Sequence, residues 1–473
     1  MSISFGTDGW RALIAEDYTF ANVRLCAQGA VDLLRSQGNQ PRGLMIGYDT
    51  RFGSDRFAAA VAEVAAGNQT TALVCDRPAP TPAVAHNLVA RDAGGGVVIT
   101  ASHNSAEWNG FKYKPDYGGS ASEEVIEQLE QHISAAMSAG PPPTMPLDEA
   151  TRLGLVEYVD PEPGYLGHIS SLVDLEAIRS SGLKILADPM HGAGGGYFSK
   201  LLSGGTTSVT EIRSEANPAF PGMSQPEPIA RNLGQLRSSI KRRKADAGLA
   251  TDGDADRLGL VDERGQFVTT LQTFALLCMH QMEVLNNRGA IVRSITMTRM
   301  VDRLADIHGV KVFETPVGFK HLAPVMIRER AMLAGEESGG YAFRGSVPER
   351  DGVLSGLMLL DLMVKTGQSV SELLATLEEK VGPHHYDRID LTLDRAQRMS
   401  AVTNLASARP DTLGGKRVEH VDTEDGFRFM LQDGYWALVR FSGTEPLLRI
   451  YAEAESSDAV ARLLHEVRTI AGV

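Results

Sequence analysis

Five short apolar runs in this chain each end abruptly on a cluster of small and polar residues. Residues 43–47 lead into Tyr48-Asp49-Thr50-Arg51, and residues 96–100 into Ala101-Ser102-His103-Asn104. Residues 183–187 lead into Asp188-Pro189-Met190-His191-Gly192, residues 245–250 into Thr251-Asp252-Gly253-Asp254-Ala255-Asp256, and residues 331–334 into Gly335-Glu336-Glu337-Ser338-Gly339-Gly340. Each reads as a buried strand that stops at a loop. Segments with helical periodicity alternate with them, at 18–34, 54–66, 121–137, 229–244, 270–286 and 351–364. That alternation predicts mostly parallel, doubly wound sheets. Such sheets bind ligands just beyond the carboxyl ends of their strands, so the strand-end clusters are the candidate site residues. Ser102 taken alone reads more readily as an ordinary helix cap; the other clusters overturn that reading.

A chain of 473 residues exceeds one hydrophobic core, and three or four domains are expected. Pro141-Pro142-Pro143 marks a linker, and the strand–helix pattern restarts near residue 160. The last hundred residues change character. Strand-like runs at 386–393, 417–422, 428–431, 436–441 and 447–453 lie close together, flanked by helices at 395–406 and 457–470. The expected fold class is therefore α/β. Three doubly wound mixed α/β domains span 1–145, 158–266 and 267–375, and an antiparallel α+β domain spans 380–473.

Forty-six Lys and Arg stand against 59 Asp and Glu, a net charge of −13, which argues against a nucleic-acid partner. It leaves room for a local basic pocket that takes anionic small molecules. The run Lys241-Arg242-Arg243-Lys244 could serve nuclear import, but cations also favour a helix C-terminus, and that reading is preferred. Cys26, Cys75 and Cys278 lie far apart with no disulfide or metal spacing, which points to a reducing compartment. The first residues form no signal peptide and no apolar run is long enough to span a bilayer, so a cytoplasmic location and no membrane partner are expected.

Asp252, Asp254 and Asp256 stand at alternate positions after a strand. Three anions so close repel unless a cation holds them, and an all-oxygen set suits Mg²⁺. An EF-hand would need glycine where Arg257 stands and a helix where 258–261 reads as a strand. A haloacid-dehalogenase-type phosphatase carries a similar Asp-x-Asp, but with Thr or Val where this chain has Asp256. Arg440-Phe441-Ser442-Gly443-Thr444-Glu445-Pro446 joins two strands; its hydroxyls, turn amides and guanidinium could ring a phosphate. With no Walker A or dinucleotide-binding sequence in the chain, that phosphate belongs to the substrate. Glu336 and Ser338 offer a carboxylate and a hydroxyl suited to sugar hydroxyls, and Lys320 is placed in a loop upstream.

The motifs Thr100-Ala101-Ser102-His103-Asn104, Asp252-Gly253-Asp254-Ala255-Asp256-Arg257, Gly335-Glu336-Glu337-Ser338-Gly339 and Arg440 to Pro446, in this order, resemble the α-D-phosphohexomutase superfamily. Phe5-Gly6-Thr7-Asp8-Gly9 and Asp188-Pro189-Met190-His191-Gly192 are similar to that family too. The resemblance implies four domains around a central cleft, each lending one loop. It implies a phosphoserine at Ser102, and Mg²⁺ held by Asp252, Asp254, Asp256 and the seryl group. Glu336 and Ser338 would grip the sugar, and Arg440, Ser442, Gly443, Thr444 and Arg449 would bind substrate phosphate. Arg11, His103, Lys112, Arg257 and Lys320 match family positions near the transferring phosphoryl group or the sugar. This chain departs from the family in Ser105, where proline is usual, and in Gly340, where some members carry histidine. That leaves Lys320 as the preferred acid/base.

The implied reaction interconverts glucose 1-phosphate and glucose 6-phosphate through a hexose 1,6-bisphosphate, which would also serve as activator. Glucose is preferred because Glu336-Glu337-Ser338 resembles phosphoglucomutases; phosphomannomutase, dual-specificity and phosphoglucosamine mutase activities are the alternatives. From other classes, a metal-dependent sugar phosphatase and a non-catalytic sugar-phosphate sensor are the rivals. Small-molecule hexose phosphates are the expected partners, and the protein would be a monomer or homodimer.

Overall fold

The computed structural model describes residues 3–441 and 447–473. Among these residues four sheets follow one another along the chain. The first has six strands. Its centre is formed by Leu44–Tyr48 and Gly95–Ile99, which run parallel, with Ala72–Cys75 parallel beyond them. Trp108–Pro115 returns antiparallel against Gly95–Ile99, and Trp10–Leu13 completes that edge. Helices Phe20–Ser36, Ser54–Gly67 and Glu123–Ala139 share one apolar core with this sheet. Helix Thr81–Ala90 packs Val84 and Leu88 on the opposite face, so the sheet is doubly wound.

The linker expected at the triproline is only partly a linker. Beyond it the chain forms helix Leu147–Arg152 and strand Val156–Val159, which pairs in parallel with Ala72–Cys75 as the sixth strand. The first unit therefore extends past the expected boundary at 145. Val156 and Val159 are buried against the sheet, whereas Glu157 and Tyr158 between them are exposed. So short a run gives little signal in sequence.

The second sheet has five strands and the third four; both combine parallel and antiparallel pairs. Their cores are not separate. Helix Gly352–Thr366 is buried on every side from Gly352 to Met363, and it joins Leu249 and Leu260 of the second unit to Leu333 and Tyr341 of the third. A helix apolar all round can pack between two layers. The expected helix at 270–286 is an α-helix, Thr270–Met279, that widens into a π turn at His280–Val284. There buried His280 meets Asp361 at 2.7 Å.

The fourth unit is an all-antiparallel sheet of six strands. Helices Arg395–Ser407 and Ser457–Ala471 cover one face. Its attachment to the third unit is polar and buried. Glu453 accepts from the Trp436 indole at 2.7 Å and from the Arg299 amide at 3.0 Å, and also bonds Thr298. Arg428 reaches Glu314, which Arg293 also holds. Burial pushes Glu314 up, but Arg428 and Arg293 outweigh it and hold the carboxyl at about 2 against its ordinary 4.5.

A depressed folded-state value stabilises the fold above pH 4.5, and the contribution disappears as pH falls toward 2. A tenfold change in proton affinity between the folded and unfolded chains corresponds to about 1.4 kcal/mol. Glu314→Gln is therefore expected to cost about 2–3 kcal/mol at neutral pH and to flatten the loss of stability between pH 4.5 and 2, read by denaturant titration across pH. Equal slopes in both proteins would contradict this.

Candidate active site

Strand Gly95–Ile99 is buried along its whole length and delivers Ser102 to the junction of the first and second units. The Ser102 backbone is left-handed at φ +52°, unusual for a residue with a Cβ. Its amide donates to Thr100 Oγ1 at 2.8 Å, and its hydroxyl donates to Asp252 Oδ2 at 2.8 Å. His103 Nδ1 lies 3.5 Å from the same hydroxyl. Loss of water around the imidazole, then Arg257, Arg11, Lys112 and Arg51, hold His103 well below its usual value, so the ring is neutral near pH 7.

Asp252, Asp254 and Asp256 follow buried strand Ala247–Thr251, and all three are fully buried. One carboxylate oxygen from each lies within 4.8 Å of the others. Burial, then repulsion from Asp256 and Asp254, raises Asp252 well above the carboxylate range. Burial also works against Asp254, but Lys112 on its carboxylate and the Thr81 hydroxyl, donating at 2.6 Å, bring it below that range. Asp254 Oδ1 and Asp256 Oδ1 are buried with no hydrogen-bond partner among the described residues. Two orphaned anionic oxygens beside a third carboxylate fit a hard cation such as Mg²⁺.

Lys112 lies on the antiparallel return strand. Its ammonium is 2.7 Å from Asp8, 2.8 Å from Asp254 and 3.1 Å from Asp256. Burial disfavours that charge, but the three carboxylates more than offset it and raise Lys112. Arg11 donates to Asn104 at 2.7 Å and stands 3.6 Å from Asp8. Arg257 lies 3.9 Å from both Asp252 and Asp256. Sequence reasoning brought Ser102, His103, Arg11, Lys112, Arg257 and the three aspartates to this junction, and they meet there.

Glu336 is buried at the end of strand Leu333–Gly335 and accepts the Gly318 amide at 2.8 Å. Burial raises it, with Arg350 and Arg257 pulling the other way. Ser338 Oγ is buried and unpartnered among the described residues, as a hydroxyl awaiting a ligand would be. Glu337 turns away: it accepts Tyr386 Oη at 2.7 Å and Arg388 at 3.0 Å from the fourth unit. Lys320 differs from expectation. Instead of a loop it occupies the first turn of helix Phe319–Glu329, and its ammonium donates to Glu123 at 2.8 Å. Gly318, at φ +123°, is the residue from which that helix starts.

In the fourth unit Arg440 and Arg449 are direct cross-strand partners. Like charges set opposite each other destabilise a sheet unless an anion is shared between them. Arg440 donates to Asp425 at 2.9 Å, and Asp425 accepts the Val317 amide at 2.8 Å, beside the sugar loop. Arg449 stands 3.9 Å from Asp390. Ser442, Gly443 and Thr444 lie outside the described residues.

Three contributors escaped the sequence. Asp8 binds both Lys112 and Arg350, and the Arg350 guanidinium reaches Asp8 at 2.6 Å and Asp256 at 3.0 Å across three units. Thr81 supports Asp254 from a helix given no role. Asp8 lay in a motif already singled out; Arg350 and Thr81 carried no local signal. Arg350 explains the departure at Gly340. A Cβ built on Gly340 would lie 2.3 Å from Arg350 Cδ and 2.7 Å from Cγ. The arginine stem fills the space a side chain at 340 would need.

Gly340→Ala is therefore expected to expel Arg350 from Asp256. The overpacking would cost about 1–3 kcal/mol of stability and weaken retention of Mg²⁺. Calorimetry with and without the metal reads both; a variant with wild-type stability and metal affinity would show that the contact carries no load.

Models for the phosphoglucomutase/phosphomannomutase family match nearly the whole chain: α/β/α domain I at residues 2–139, domain II at 163–265, domain III at 272–381 and the C-terminal domain at 391–470. The chain is 31% identical to a phosphoglucomutase/phosphomannomutase of Thermococcus kodakarensis over 97% of its length and 96% of that protein's. It is 30% identical to a phosphoglucosamine mutase of Frankia alni, covering 98% and 96%. A crystal structure of a phosphomannomutase-type protein from Thermus thermophilus superposes with a TM-score of 0.85 at 31% identity, covering all of both chains. A buried serine against three aspartates, a ring of cations and this full-length likeness lead to one conclusion: the chain belongs to the phosphoglucomutase/phosphomannomutase family, whose members are isomerases.

Proposed function

We propose that this protein is a cytoplasmic phosphohexomutase that moves a phosphoryl group between O1 and O6 of an α-D-hexose phosphate through a phosphoserine at Ser102. The observation that carries the reading is the bond from Ser102 Oγ to Asp252, inside a buried acidic triad ringed by Arg11, Lys112 and Arg257. Asp252, Asp254 and Asp256, with the seryl group, would hold Mg²⁺, which supplies positive charge to the phosphoryl oxygens when bound.

Phosphoserine 102 gives its phosphoryl group to the free hydroxyl of the hexose phosphate. The P–Oγ bond breaks as a new P–O bond forms, and the proton lost by the sugar hydroxyl is balanced by one gained by the released seryl oxygen. The product is a hexose 1,6-bisphosphate, which reorients and returns its other phosphoryl group to Ser102. Arg11, Arg257 and Lys112 offset the charge on the transferring oxygens. His103, neutral and 3.5 Å from the seryl oxygen, is placed to exchange a proton with that oxygen as it leaves and as it attacks again. Lys320, paired with Glu123, is assigned to binding. Glu336 and Ser338 hold the sugar, and Arg440 with Arg449 holds the phosphate that does not react.

Glucose phosphates remain the first reading. Mannose phosphates stand second for a specific reason: Glu337, whose identity favoured glucose, is committed to Arg388 and Tyr386. Glucose, mannose and glucosamine 1-phosphates assayed side by side, with bisphosphate present, settle the choice. Ser102→Ala is expected to lose the phosphate seen by intact mass and to reduce turnover at least about 10³-fold. Asp254→Asn should fold normally yet bind Mg²⁺ weakly and lose at least about 10²-fold in kcat. Steady release of inorganic phosphate faster than isomerisation would replace this reading with the phosphatase.

A further inference from the structure

Arg51 is buried, with 3% of its surface exposed, and it forms an ion pair with Asp49. It stands just beyond strand Leu44–Tyr48, beside the loop that carries Ser102. Its two terminal nitrogens make four hydrogen bonds, all to backbone carbonyls of that loop. One donates to the carbonyls of Ser102 and Asn104, each at 2.6 Å. The other donates to Ser105 at 2.7 Å and Trp108 at 3.1 Å. A guanidinium carries four terminal N–H groups, so none is left for a substrate or phosphoseryl oxygen.

The support continues behind it. Asp49 lies 3.1 Å from Arg51 Nε and accepts the Thr100 hydroxyl at 2.6 Å; Thr100 in turn accepts the Ser102 amide at 2.8 Å. Phe220, from the second unit, covers the guanidinium with its ring centroid 4.9 Å away. The metal loop presses on the same place, because a Cβ on Gly253 would lie 2.5 Å from the Ser102 carbonyl oxygen. At the centre sits Ser102 with φ +52°. A non-glycine residue keeps such a conformation only when its surroundings over-determine it.

We infer that Arg51 is the positioning residue of the transfer step: it fixes the Ser102 loop through its carbonyls, so that the seryl oxygen keeps the same place beside the acidic triad in both half-reactions, and it binds neither substrate nor phosphate. The inference rests on Ser102 being the phosphoserine. One of the four carbonyls that Arg51 holds belongs to Ser105, the position where the family usually carries proline.

The test is Arg51→Lys, which keeps the charge and loses the planar fork. Wild-type enzyme is first incubated with excess glucose 1,6-bisphosphate and checked by intact mass for phosphate at Ser102; its absence then would remove the phosphoserine reading itself and leave nothing to position. With phosphate present, kcat for glucose 1-phosphate, measured with glucose 1,6-bisphosphate well below the melting temperature, is expected to fall about 10²-fold, as a misplaced nucleophile does. KM should stay within about threefold, because no substrate contact is lost. An unchanged kcat, or a rise in KM at unchanged kcat, overturns the inference. Should Arg51→Lys fail to fold, Phe220→Leu takes its place, since it removes the covering ring and leaves every hydrogen bond possible. A several-fold lower kcat at constant KM then supports the assignment, and wild-type kinetics overturns it.

Discussion

Four buried or half-buried carboxylates facing a ring of buried and half-buried cations hold the centre of this molecule together. Asp8, Asp252, Asp254 and Asp256 come from two units, and Lys112, Arg11, Arg257 and Arg350 from three. Taking any one of these charges out of water alone would cost several kcal/mol, and the structure tolerates them only because each side answers the other. The balance is incomplete on the acidic side. Asp254 and Asp256 each keep an oxygen with no hydrogen-bond partner among the described residues, and Asp252 is raised by burial and by its neighbours. Such an arrangement could hold a divalent cation.

The third unit is the hub through which the other parts communicate. Helix Gly352–Thr366 shares a core with the second unit, and Glu349 and Arg350 just before it reach Lys114 and Asp8 of the first. The fourth unit hangs on the third through Glu453, Glu314 and Glu337, each pairing across the boundary. Two neighbouring amides show the same division: Gly318 is held from within the third unit by Glu336, and Val317 from the fourth by Asp425. The Glu336 loop and the Arg440 strand are therefore mechanically joined.

Most of the fold was legible because it rests on local signals. Apolar β-branched runs ending on Gly, Asp and Ser located the central strands, and period-3.6 patterns located the long helices. The strand Trp108–Pro115 escaped for an instructive reason. Lys112 and Lys114 make it look like surface, yet both side chains are 1% exposed, because Asp8, Asp254, Asp256 and Glu349 neutralise them from other parts of the chain. Helix Thr81–Ala90 was missed because it is nearly uniformly apolar and short, and a buried segment of that kind has no period to read.

What the sequence alone determined are features that depend on neighbours along the chain: the three α/β blocks, the antiparallel final unit, the acidic triad at alternate positions, and the serine at a strand end. Tertiary structure alone decided which charge answers which. Lys320 turned to Glu123, Glu337 turned to Arg388, Arg350 took the space left open at Gly340, and Arg51 closed on four carbonyls. Those partners lie up to hundreds of residues apart. A buried charge is fixed by whatever opposite charge or carbonyl the packing brings within about 3 Å, and no local pattern encodes that distance.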